Sequence, residues 1–268
     1  MSRLSDLRNK EKPRETGITM VIDYGSSPQA ISNLIEDHGK NFEFAKLTGA
    51  SARMLTIVEV LQKIEAYRNV ISQPQVSVYC GGTTMESFFV DSPKKGMGLF
   101  IEYIQKLGLS WVEVSNGRLE MTDVEKRKII QRLKKENFKV ISEVGKKSLK
   151  NKHLLKEGWF LESAREELGA GADFVILATG KKGRLGIFDE EGNPRDKLIK
   201  GIVEEVGLKN IIFEAQDLRH QVYLIKAFGP NVNIGNILPG YISALEALRQ
   251  GWRPDTLEVP ENLEPLVI

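Results

Sequence analysis

The sequence predicts a single-domain (β/α)8 TIM barrel, and three observations predict it. Eight apolar runs of strand length alternate with stretches of helical period. Each run closes on a polar or glycine-containing tip. The chain, at 268 residues, matches the roughly 250 that such a barrel takes. We assign residues 17–256 to the barrel, 1–16 to an N-terminal arm outside it and 257–268 to a C-terminal tail. The competing architecture is an open doubly wound sheet, in which one crossover is misread as a strand.

The elements follow in order. Ile18–Tyr24 is the first strand, and Ser27 with Pro28 opens a helix in the N-cap and N1 arrangement. Phe42–Leu47 is the second strand, ending at Lys46 before the small-residue turn Thr48–Ser51. Leu55, Val58, Leu61 and Ile64 then carry a helical period through 52–72. Val76–Cys80 is the third strand, closed by Gly81-Gly82-Thr83-Thr84, and a helix covers Met97–Leu107. Trp111–Ser115 is the fourth strand. Thr122 precedes Glu125 by three residues, the spacing of a capping box, so a helix starts there and runs to about Glu136. Lys139–Lys147 (KVISEVGKK) is a buried strand that delivers ionic groups at its carboxyl end. A helix over Leu154–Leu168 stops at Gly169-Ala170-Gly171. Phe174–Ala178 is the sixth strand, followed by a helix over Arg195–Val206. Ile211–Ala215 is the seventh, and Asp217 caps the next helix. Val232–Ile237 is the eighth, and the last helix runs from Tyr241 to Gln250.

Composition narrows the class. The 38 basic and 36 acidic residues leave a net charge of +2, and they are interspersed, so no field points to nucleic acid. The basic run Lys146–Lys152 reads as a solvated face. Cys80 is the only cysteine, which excludes an intramolecular disulfide and zinc sites built on cysteine pairs, and favours a cytoplasmic setting. The amino terminus lacks the apolar core of a signal peptide, and no apolar run approaches the roughly 18 residues of a membrane helix. His38, His153 and His220 show no metal-pair spacing. Nucleotide loops of the GxGxxG and Walker types are absent.

Reacting groups in a (β/α)8 barrel gather at the carboxyl ends of the strands. The pooled tips are Asp23, Lys46, Gly81-Gly82-Thr83, Glu113, Asn116, Glu143, Lys147, Glu214, Asn233 and Asn236. Glu113, Glu143 and Glu214 interrupt apolar strands, and a buried carboxylate requires a lysine, a metal ion or hydrogen-bond donors. A hard divalent cation such as magnesium takes such oxygens, while structural ion pairs with Lys46 or Lys147 are the bland alternative. Either lysine can bind an anion, act as acid or base, or form a Schiff base. Gly81-Gly82-Thr83 fits a backbone anion site or a plain turn.

The pieces EVSNG (Glu113–Gly117), EVGKK (Glu143–Lys147), GAGADFVI (Gly169–Ile176), IFEA (Ile212–Ala215) and GPNVNIGNI (Gly229–Ile237) resemble the phosphosulfolactate synthases of coenzyme M biosynthesis. The resemblance runs from Lys12 to Thr256. It implies a barrel that adds sulfite to phosphoenolpyruvate, with magnesium held by Glu113, Glu143 and Glu214, Lys46 beside it and Lys147 as the acid. Gly81, Gly82, Thr83, Asn116, Asn233, Asn236 and Lys181 are the candidate substrate contacts. A homo-oligomer is implied by the resemblance alone.

The chain departs from the family at three tips. Lys46–Ser51 reads KLTGAS where the family has KFGWGTS. At the sixth strand, Leu177 and Thr179 stand where it has a glutamate and an arginine, and Lys181, Lys182 and Arg184 are the nearest replacement charges. Gln216 and Leu218 stand where it has proline and lysine. These departures imply an alternative: a divergent paralogue on another small phosphorylated or carboxylated anion, or a non-catalytic, stress-related barrel.

Overall fold

The computed structural model describes residues 12–69, 76–117, 119, 121–145, 158–180 and 186–257. Short runs of β-branched and aromatic residues form eight parallel strands: β1 (Thr19–Asp23), β2 (Phe44–Leu47), β3 (Ser77–Cys80), β4 (Trp111–Val114), β5 (Lys139–Val144), β6 (Phe174–Leu177), β7 (Ile211–Glu214) and β8 (Ile234–Ile237). Their hydrogen-bonded order, β3-β2-β1-β8-β7-β6-β5-β4, is a barrel sequence. β3 and β4, the two ends of that order, lie side by side and leave the barrel nearly closed. The barrel prediction holds and the open sheet does not.

Between the strands run α1 (Pro28–His38), α2 (Ile57–Arg68), α3 (Gly82–Asp91), α4 (Gly96–Lys106), α5 (Asp123–Lys135), α6 (Gly158–Gly169), α7 (Asp196–Val206), α8 (Leu218–Phe228) and α9 (Ile242–Arg249). Their starts follow from local chemistry. Ser27 accepts from the Ala30 amide with Pro28 at the first helical position, and Thr122 and Glu125 form the reciprocal capping box. Asp217 caps α8 through the Arg219 amide, at 2.8 Å. The helix α3 is an element the sequence reading lacked; it begins straight after the glycine tip of β3.

Strand side chains alternate between two cores. One face packs outward on the helices, through residues such as Val21, Ala45, Val78, Val112, Val140, Val175, Leu177 and Phe213. The other fills the lumen with Met20, Ile22, Phe44, Tyr79, Trp111, Ile141, Ile176 and Ile212. Phe44 meets Trp111 edge-on at 4.9 Å between ring centroids, and Trp111 stacks on Phe174 at 5.9 Å, so aromatic rings plug one end of the lumen.

Two devices secure the amino-terminal end. Arg249 is buried and donates to the carbonyls of Pro230 and Val232, the latter at 2.7 Å, joining α9 to the entry of β8. Arg14 pairs with Glu43, whose other oxygen accepts from the Thr19 amide at 2.7 Å. Residues 12–16 therefore do not stand apart as an arm, because Arg14 and Lys12 anchor on the turn before β2. Residues 1–11 and 258–268 lie outside the described residues.

Candidate active site

Counting two residues along each strand from the lumen core places the ionic groups. Phe44 leads to Lys46, Trp111 to Glu113, Ile141 to Glu143 and Ile212 to Glu214, so all four face the lumen one layer beyond the apolar plug. Lys46 Nζ lies 2.8 Å from Glu113 Oε2, with the lysine 5% and the glutamate 1% exposed. The Gly82 amide donates to Glu113 Oε1 at 2.7 Å.

Burial pulls the Lys46 ammonium down, but the charges of Glu113, Glu143 and Glu214 outweigh it and hold its pKa above the ordinary lysine value. Lys46 is a fixed cation at neutral pH. That favours the anion-binding role among the alternatives left open by the sequence. Tyr79, the register partner of Lys46 on β3, also faces this group. Burial and the charges of Glu113 and Glu143 push its hydroxyl well above the usual tyrosine range, so it stays a neutral donor. The sequence reading missed Tyr79, although period-two alternation from Gly81 back into β3 points to it.

Glu214 is gripped from both flanking strands. The Thr179 amide donates to Oε2 at 2.9 Å and the Thr179 hydroxyl to the Glu214 carbonyl at 2.8 Å. Asn236 Nδ2 donates to Oε1. Asn236 adopts a left-handed backbone, φ 59°, a conformation in which asparagine is one of the few tolerated side chains.

Several sequence expectations move. Among the described residues no three of His, Cys, Asp or Glu stand together as a metal site. The expected glutamate triad is not ready-made, because Glu113 is already paired with Lys46 and the Gly82 amide. Gly81 and Gly82 are accounted for by packing. A β-carbon at Gly81 would stand 2.8 Å from Lys46 Cε, and one at Gly82 would stand 2.6 Å from Ser115 Cβ. They clear space for the site and begin α3, while Thr83 sits half-buried on its first turn.

Asn233 is a correction. It precedes β8 at the amino-terminal end, accepting from the Ile18 amide at 3.0 Å and donating to the carbonyls of Lys209 and Ile211. Its amide is used by the backbone, away from the tips. Asp23 is a second correction: it faces the helices, 3.0 Å from Lys63 Nζ, and accepts from the Gly25 and Ser26 amides, both at 2.7 Å. Asn116 is buried behind β4, with a long 3.4 Å contact to the Met121 carbonyl. Lys147 and Lys181 lie outside the described residues.

Glu86 of α3 is a further buried carboxylate that the sequence reading did not reach. It accepts from Ser115 Oγ and, at 3.1 Å, from the Gly117 amide. With the Gly82–Glu113 bond it stitches the β3/β4 edge beside Lys46. The departure at Leu177 also changes meaning. Its side chain belongs to the outward core, so the leucine takes no carboxylate out of this chain's lumen.

A likeness to solved barrels extends over the whole architecture. The 3-hexulose-6-phosphate synthase of Salmonella typhimurium superposes with a TM-score of 0.55 at 12% identity, covering 88% of this chain and 100% of that one. The phosphoenolpyruvate phosphomutase of Streptomyces platensis subsp. rosaceus gives 0.51 at 14%, covering 88% and 81%. At such identities the likeness is one of fold.

Sequence relatives go further. The phosphosulfolactate synthase of Methanothermobacter thermautotrophicus is 36% identical over 250 residues, 92% of this chain and 93% of the relative. Those of Methanocaldococcus jannaschii and Bacillus subtilis are 31% and 32% identical, over 90% and 91% of this chain and 94% of each relative. Residues 8–255 match the (2R)-phospho-3-sulfolactate synthase (ComA) family, and the chain belongs to that family.

Proposed function

We propose that this protein adds sulfite to the methylene carbon of phosphoenolpyruvate, giving (2R)-2-phospho-3-sulfolactate, with magnesium bound in the lumen. Family membership supports the reaction. The observation that carries it to this site is Lys46, a buried ammonium held at the tips by Glu113.

The electron accounting sets what the site must supply. The sulfur lone pair attacks the terminal carbon, the double-bond pair moves toward the carbon bearing phosphate and carboxylate, and that carbon then takes a proton. Negative charge accumulates on the carboxylate in an enediolate-like state, next to a phosphate and opposite an anionic nucleophile. A fixed ammonium is suited to that charge, and it acts without being deprotonated first. Lys46 is the group we assign to it. Lys147, four residues beyond Glu143, is the proposed acid.

Glu113, Glu143 and Glu214 all act electrostatically on Lys46, an excess of negative charge that anionic substrates would not tolerate unaided. Hard oxygen donors of this kind fit magnesium, which needs only one or two carboxylates beside substrate oxygens and water. Glu143 and Glu214 are the proposed protein ligands. When bound, the ion supplies positive charge at the substrate's oxygens. A cytoplasmic setting fits the single buried cysteine, and no described helix is long and apolar enough to cross a membrane.

The test is direct. Purified protein is given phosphoenolpyruvate, sulfite and magnesium, and phosphosulfolactate is sought by mass. Product at steady turnover supports the proposal; a folded protein that forms none overturns it.

A further inference from the structure

The polar groups of the lumen divide into two halves. On the β2–β3–β4 side, Lys46 already neutralises Glu113. On the β7–β8 side, Glu214 is held by the neutral Thr179 and Asn236 donors, and Asn236 has a side-chain atom left over. Its Nδ2 is identified by the bond to Glu214, because an ionised carboxylate can only accept. Oδ1 is therefore the other atom. It is buried without a hydrogen-bond partner among the described residues, in a side chain 8% exposed overall.

A buried acceptor left without a donor is costly, and here the backbone is also held in the left-handed region to present it. Phosphoenolpyruvate and sulfite do not explain it, since their ionised oxygens are acceptors that an amide oxygen repels. A hard cation does, because amide oxygens are ordinary ligands of such ions.

We propose that Asn236 Oδ1 is, with Glu214, an oxygen ligand of the divalent cation, and that the cation sits on the β7–β8 side of the lumen, across from the Lys46–Glu113 pair. The proposal rests on the magnesium reading above. It divides labour within the site: the ion lies on one side of the substrate and the ammonium on the other.

Manganese(II) is the probe, with its affinity for the full-length chain measured by electron paramagnetic resonance with and without phosphoenolpyruvate. Glycine adopts positive φ without steric cost, so Asn236→Gly keeps the backbone and removes the ligand; a melting curve checks its fold. The expected result is roughly ten- to hundredfold weaker manganese binding, with most of the affinity regained in Asn236→Asp, which restores an oxygen but not the amide donor. Equal affinity in Asn236→Gly and the parent overturns the assignment. So does equal weakness in the glycine and aspartate variants, which would trace the loss to a misplaced Glu214. A parent chain that binds no manganese under either condition overturns the magnesium reading itself, an outcome distinct from the other two.

Discussion

Two lysine–carboxylate pairs at comparable depth behave differently. In the wall, behind β5, Lys126 is 1% and Glu167 3% exposed; in the lumen Lys46 is 5% and Glu113 1% exposed. Burial alone does not separate them. The wall pair is closed on itself: Lys126 Nζ lies 2.8 Å from Glu167 Oε1 and donates to the Glu143 carbonyl at 2.6 Å, while Ser142 Oγ satisfies Glu167 Oε2 at 2.7 Å. Lys63 and Asp23 behind β1 form a second closed set with Tyr67 and two amides. The lumen instead keeps spare capacity, in Asn236 Oδ1. A buried ionic group whose partners are all protein is structure; one whose neighbours still have hydrogen-bonding capacity is a site.

The largest expected effect breaks the wall. Lys126→Met leaves Glu167 buried without its cation and is expected to cost about 3–5 kcal/mol in urea unfolding. Replacing Glu167 by leucine in the same chain should return most of that, as apolar replacements of whole buried pairs usually do. A single variant that costs under about 1 kcal/mol would mean that water reaches the pair and that the wall is not closed.

Next comes the lumen. Lys46→Met is expected to lower kcat/KM by about a hundred- to a thousandfold, the usual scale for removing one preorganised electrostatic contact. Its stability should fall less than that of Lys126→Met, since the Gly82 amide still donates to Glu113 and half-buried Glu214 opens this layer to water. Wall and lumen variants that lose turnover and stability in the same proportion would erase the distinction.

Much of this was legible in the chain. Strands and helix starts could be read because apolar period and capping chemistry are local: Ser27-Pro28 and Thr122–Glu125 act as their spacing suggests. α3 escaped because it starts at glycines with no capping side chain, and those glycines answer to Lys46 and Ser115, distant in sequence. Lys46, Glu113, Glu143, Glu214 and Asn236 come to one end of the lumen because strand ends collect there. Asn233 and Asp23 were misplaced for two geometric reasons. Asn233 stands at the opposite end of its strand, and Asp23 is one residue out of phase with the lumen, which turns it to the wall. Period two decides the face, and a pool of tips ignores it.

A smaller test concerns Tyr79. Its hydroxyl shares Glu113 with Lys46 and the Gly82 amide, so Tyr79→Phe is expected to cost no more than about 1.5 kcal/mol. Turnover should drop nonetheless if the hydroxyl turns to the substrate. A large loss of stability would move Tyr79 to the structural side of the comparison.

The smallest effect is read from pH. Cys80 faces the helices, and burial with the Glu113 charge pushes its thiol up to about 12. The unfolded chain releases that proton near pH 8.5, so between these values the native state binds more protons and stability falls as pH rises. Lys46, also raised, has the same sign: its contribution is complete below the unfolded lysine value of about 10.4 and is lost above it. Stability should therefore be level in these two terms through neutral pH, decline from about pH 9 through Cys80, and steepen where lysine titrates. Cys80→Ala should remove only the first decline, at the cost of a small cavity. If the variant's alkaline curve overlays the parent's, the thiol ionises in the folded barrel, and the wall beside β3 is less closed than its packing shows.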